Sequence, residues 1–128
     1  MRITLLLSLI FLIASCKKDN TPPDLQFKTG ANYTSANLTL GIGGSFTVGL
    51  IANKETDDLN LIYTEVAFDG TNSPNRIFHT YMNSSERKHA ERNITITCRN
   101  QAGTERWVFN VNDADGRISK KEIKVTVQ

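Results

Sequence analysis

Phe46, Val48, Leu50 and Ala52 are apolar at every second position, with Thr47, Gly49 and Asn53 among the residues that separate or follow them and Ile51 alone out of step. A period of two puts successive side chains on opposite faces of an extended chain, so one face is buried and the other is wet. The same period returns at Ile94-Ile96-Cys98, Trp107-Phe109-Val111 and Ile123-Val125-Val127, and in shorter form at Leu25-Phe27, Leu38-Leu40-Ile42 and Ile62-Val66-Phe68. Between the runs stand Lys28-Thr29-Gly30, Gly41 to Gly44, Asp69 to Asn75, Arg99 to Gly103 and Asp113 to Gly116. Glycine and Asx residues supply the positive φ and the side-chain hydrogen bonds that tight reversals need. About seven short strands punctuated in this way predict an all-β sandwich. Only Ser84 to Arg92 has helical character, with a serine to cap a short turn and no apolar stripe to bury.

The first residues follow another rule. Met1-Arg2 carries one positive charge, and Ile3 to Ala14 is apolar apart from Thr4 and Ser8. A permanent membrane helix needs about 20 residues, so this shorter stretch reads as a secretory signal. It ends on the small pair Ala14-Ser15, followed at once by Cys16. Ile13-Ala14-Ser15-Cys16 resembles the lipobox of bacterial lipoproteins. That resemblance implies cleavage after residue 15, diacylglycerol on the Cys16 sulfur and an acylated new amino terminus. Two or more acyl chains hold stably where one does not, since each buried methylene contributes about 0.8 kcal/mol. A cysteine followed by lysines and an acidic residue, here Lys17, Lys18 and Asp19, is similar to lipoproteins of Bacteroidota. The implied location is the cell envelope, on the outer membrane, with the face of display left open.

Removing 15 of the 128 residues leaves 113, which is one domain. Most of the removed residues are hydrophobic, so what remains suits a thin two-layer core. Residues 16–24, the lipidated cysteine and a charged, proline-containing segment, read as an extended tether. The folded domain is expected over 25–128. Positive and negative side chains nearly balance and are interspersed, which gives no electrostatic case for nucleic acid. With Cys16 consumed, Cys98 has no cysteine to pair with, so stability has to come from packing.

Trp107-Val108-Phe109-Asn110-Val111-Asn112-Asp113-Ala114-Asp115-Gly116, followed by Lys121 to Val127, resembles the closing hairpin of immunoglobulin-like modules of the PKD and cadherin-like kind. The resemblance covers roughly the last quarter of the chain. It implies an immunoglobulin-like antiparallel β-sandwich.

The sequence offers three kinds of chemistry. Catalysis has the least behind it: there is no Gly-x-Ser-x-Gly elbow, no His-Glu-x-x-His and no phosphate loop, and His79 and His89 are separated by a mostly polar segment. Calcium is the second. Asp113 and Asp115 share one tight loop, and immunoglobulin-like topology would bring Asp57 and Asp58 to the same end, together with Asp24. Asp and Gly are also favoured at such a hairpin for turn reasons alone, and that reading is preferred. The third is a partner surface. If Ile62, Val66, Phe68 and Phe78 face inward, then Leu61, Tyr63, His79 and Tyr81 face outward, where tyrosine suits protein partners and flat sugar rings. A satellite cluster between neighbouring strands is the simpler account of the same residues. The expected function is a lipid-anchored, non-catalytic interaction module without a cofactor, its protein or glycan partner unspecified. The alternatives are a carbohydrate-associated accessory lipoprotein and a calcium-stiffened adhesion or spacer module.

Overall fold

The computed structural model describes residues 20–128, so the expected signal, Cys16 and the first part of the tether lie outside the described residues. Among the described residues every regular element is a strand: β1 Asp24–Phe27, β2 Leu38–Leu40, β3 Ser45–Asn53, β4 Leu59–Phe68, β5 Asn75–Tyr81, β6 His89–Thr97, β7 Gly103–Asp113 and β8 Ile118–Val127. They form a three-stranded sheet, β1-β3-β6, and a five-stranded sheet, β2-β8-β7-β4-β5. The chain changes sheet between β1 and β2, β2 and β3, β3 and β4, β5 and β6, and β6 and β7. That is the immunoglobulin-like arrangement. The eighth strand, beyond the seven or so expected, goes with the one pairing that is not antiparallel. β2 lies parallel to β8, Leu38 against Val125 and Leu40 against Val127, because the chain crosses to the second sheet after β1 without reversing direction.

The inward register follows the period of two. Phe46, Val48, Leu50 and Ala52 from β3 meet Trp107, Phe109 and Val111 from β7 and Ile123, Val125 and Val127 from β8 in one core, with Ile96 and Cys98 beside them. Phe109 is fully buried and meets Phe27 edge to face, with ring centroids 5.8 Å apart. Burial pushes the Cys98 thiol up to about 11, helped by the nearby Glu105 carboxylate, so it is a small apolar residue and not a nucleophile.

Three expectations change. Ile42 is 50 % exposed, because the strand ends at Leu40 and the Gly41–Gly44 reversal carries Ile42 outside the sheet. The segment from Ser84 forms no helix. Asn83 accepts from the backbone N–H of Ser85 at 2.9 Å to make a turn, and His89 already begins β6 opposite Asn53. Residues 21–23, expected in the tether, pack on the sandwich. Pro23 is buried, the backbone N–H of Thr21 donates to Thr56 Oγ1 at 3.1 Å, and Ser119 Oγ donates to the Pro23 carbonyl at 2.5 Å.

The strands give the sandwich two ends. One gathers the start of β1 and the loops at 54–58, 82–88 and 114–117; the opposite end gathers those at 41–44, 69–74 and 98–102. Ion pairs tie loops at both. Glu86 takes the Arg92 guanidinium at 2.7 Å, and Asp69 takes that of Arg99 at 2.5 Å and the Thr104 N–H at 3.0 Å. Arg99 and then Thr104 hold the Asp69 carboxyl below its usual 3.8, and Arg92 and then the Asn83 N–H hold Glu86 below its usual 4.5. A depressed folded value means stability that is present above the unfolded value and lost as pH falls through the folded one. The melting midpoint is therefore expected to be level above about pH 5 and to fall below about pH 4. In Asp69→Asn with Glu86→Gln the acid drop is shallower, and an unchanged profile in that variant would exclude these pairs as its source.

Candidate functional site

The outer face of the five-stranded sheet is built by the residues that the core leaves over. With Ile62 and Val66 turned inward, Leu61, Tyr63, Glu65 and Ala67 of β4 take the opposite face. Leu61 lies directly opposite Tyr81 of β5, and Tyr63 opposite His79. The four residues expected on a partner surface are thus two adjoining cross-strand pairs.

Their exposure is not what facing outward implies. Tyr81 is 64 % exposed and His79 is exposed, but Leu61 and Tyr63 are each only 6 % exposed. β4 is an inner strand, between β5 and β7, and side chains from both sides close over it. The Arg76 guanidinium lies 3.9 Å from the centre of the Tyr63 ring, within cation–π range. His79 and Tyr81 meet edge to face at 5.8 Å on the edge strand. A partner can therefore reach His79 and Tyr81, while Leu61 and Tyr63 form the floor beneath them.

β7 adds two residues to this face that the sequence reading passed over. Asn110, opposite Tyr63, is completely buried; its amide donates to Glu65 Oε2 at 3.2 Å and to the Val108 carbonyl at 3.3 Å, and its own oxygen has no partner. The buried side-chain oxygen of Asn112, opposite Leu61, has none either. The signal for both was in the register, since Asn110 and Asn112 alternate with the inward Phe109 and Val111. Toward the opposite end, an open concavity of about 470 Å³ is lined by Glu65, Asn72, Pro74, Arg106, Lys120 and Glu122 among others. Its lining carries both signs of charge, with Arg106 and Glu122 3.6 Å apart.

The two histidines do not come together. His89 lies on the other sheet, 2.7 Å from Asn53 Oδ1 and 3.3 Å from Glu91. The fold does bring three of the four expected carboxylates together, around an arginine. Arg117 donates to Asp57, to Asp113 Oδ2 at 3.0 Å and to Asp115 Oδ2 at 2.7 Å. Asp58 turns instead to Lys54 at 2.6 Å, and Asp24 to Asn53 and Gln26. Asp113 is 1 % exposed and also accepts the backbone N–H groups of Asp115 and Arg117, while Gly116 takes φ 85°. Turn chemistry and a guanidinium thus occupy the oxygens that a calcium ion would need. Millimolar calcium is accordingly expected to raise the melting midpoint no more than magnesium does. A calcium-specific rise that vanishes in Asp113→Asn with Asp115→Asn would reverse this assignment.

No family model matches the chain, and no curated protein matches it. Among solved structures, it is similar to a β-glucosidase from Listeria innocua in complex with isofagomine, at 13% identity and a TM-score of 0.46 over 83% of this chain and 16% of that one. It is also similar to murine CRIg, at 14% identity and a TM-score of 0.42 over 83% of this chain and 98% of that one. The chain thus spans about a sixth of the length of the glucosidase and nearly all of CRIg.

Proposed function

We propose that this chain is a lipid-anchored protein of a bacterial cell envelope, held on the outer membrane through Cys16, and that its sandwich is a non-catalytic interaction module. The observation that carries the reading is the ending Ile13-Ala14-Ser15-Cys16 after a short apolar run. It gives Cys16 a use that Cys98, buried in the core, does not share. The outer face of the five-stranded sheet serves as the partner surface. Tyr81 and His79 offer accessible aromatic area at low entropy cost, above a floor already packed by Tyr63 and Arg76. A glycan is the second reading, favoured by the polar, mixed-charge concavity on the same face.

Cys16→Ser tests the anchor. Incorporation of a fatty-acid analogue is expected to fall to background and uncleaved precursor to accumulate, because both the thioether and the cut require the thiol. A Cys16→Ser protein that still takes up the label would overturn the reading. On the partner side, His79→Ala with Tyr81→Ala is expected to leave the melting midpoint nearly unchanged while weakening cross-linking to an envelope partner or retention on a glycan matrix.

A further inference from the structure

The fold fixes this chain much nearer to its anchor than the composition of residues 16–24 suggests. Thr21 is bonded to Thr56 and Pro23 to Ser119, so the lead into β1 is already part of the sandwich. Only five peptide units separate Cys16 from Thr21, and at no more than about 3.6 Å each they reach about 18 Å. A lipidated cysteine sits where its acyl chains enter the hydrocarbon, and the headgroup layer above that level takes up roughly 5 to 8 Å. The point where Thr21 meets Thr56 is thus held within about 10 to 13 Å of the headgroup surface, not far beyond the Debye length of about 8 Å at physiological salt.

We infer that the partner of this end of the sandwich is the lipid surface itself: the loops at 54–58, 82–88 and 114–117 face the headgroups, and the opposite end points away from the membrane. This rests on the lipidation of Cys16. β4 spans ten residues from one end to the other, so at about 3.3 Å per residue the opposite end stands roughly 30 Å farther out. The charge of the near end sets how it meets the lipid. It carries Asp24, Glu55, Asp57, Asp58, Glu86, Asp113 and Asp115 against Lys54, Arg87, Lys88, Arg92 and Arg117, with Lys17 and Lys18 placed in the linker to the anchor. The excess of carboxylates on the sandwich itself is repelled by anionic headgroups and disfavours insertion, so the end faces the membrane across a thin layer of water. The loops at 69–74 and 98–102 and the adjoining concavity are then presented outward.

The test uses the lipidated protein in phosphatidylethanolamine–phosphatidylglycerol vesicles that contain a nitroxide-headgroup lipid. A fluorophore is placed on Glu55→Cys at the near end or Ser73→Cys at the far end. Both positions are exposed, and the buried Cys98 stays unlabelled. Fatty-acid incorporation at Cys16 is measured on the same samples. Quenching is expected to be several-fold stronger at Glu55→Cys than at Ser73→Cys, and a twelve-residue Gly-Ser insertion between Lys18 and Asp19 is expected to erase most of the difference. Releasing the lead with Thr56→Val and Ser119→Ala should reduce the ratio by a smaller amount. Equal quenching at both positions in protein that carries the label overturns the orientation and leaves the anchor standing. Absence of the label overturns the anchor and the orientation with it.

Discussion

Trp107→Ala lowers the stability of the sandwich by about 3 to 5 kcal/mol, the range for truncating a large buried aromatic. Trp107 is 6 % exposed and meets the Phe46 ring edge to face at 6.3 Å, so it joins β7 of one sheet to β3 of the other. Removing the indole takes out packing area and opens a cavity between the layers. A domain of this size shifts its melting midpoint by roughly 4 °C per kcal/mol, so the midpoint is expected to fall by well over ten degrees. The control is an exposed site on the same sheet, Lys124→Ala. A loss no greater than that of the control would mean that the register of β7 is inverted.

The second large effect comes from the carboxylate that Trp107 holds. Glu105 is fully buried at the start of β7, two residues before Trp107 and therefore on the same inward face. Its Oε2 accepts the indole N–H of Trp107 at 2.8 Å, and its Oε1 accepts the backbone N–H of Arg99 at 2.9 Å. The Arg99 guanidinium lies 4.7 Å over the Phe68 ring and closes this end of the sandwich by gripping Asp69. Gly103 starts β7 at φ 148°, where its missing side chain lets Asp69 and Arg99 come close. Glu105→Ala leaves the N–H groups of Trp107 and Arg99 without an acceptor. A fully buried orphaned donor costs about 1 to 3 kcal/mol and the part-buried Arg99 N–H costs less, so a loss of about 2 to 4 kcal/mol is expected. Trp107→Phe separates the two effects, since it keeps a ring in the core and removes only the indole N–H. If Glu105→Ala denatures at the wild-type midpoint, the cluster is not structural and the link from Arg99 to the core is wrong.

The Glu105 carboxylate was not read from the sequence, although alternation reached far enough to find it. Counting back by two from Trp107 lands on Glu105, and an inward glutamate conflicts with the rule that carboxylates stay wet unless paired. That conflict marks a buried polar cluster, but beyond Trp107 on the same strand its members, Arg99, Phe68 and Asp69, come from another strand and two loops. Spacing along one strand does not reveal them. Leu61 and Tyr63 failed for a related reason. Their outward direction was legible from Ile62 and Val66, but burial on that face depends on Arg76 and on flanking strands whose order a single run of residues does not contain.

What the sequence determined by itself is the strand content, the inward face of β3, β7 and β8, the turns and the burial of Cys98. These are local properties: a period of two and the backbone freedom of glycine and Asx residues. Tertiary structure alone decided that three aspartates meet around Arg117, that Tyr63 lies beneath Arg76, and that the expected tether is docked from Thr21 onward. Each of those joins residues far apart in the chain, and which of them meet depends on the order of strands within each sheet and on where the chain changes sheet. Local patterning is blind to that choice, because a strand's own alternation reads the same whichever strand lies beside it.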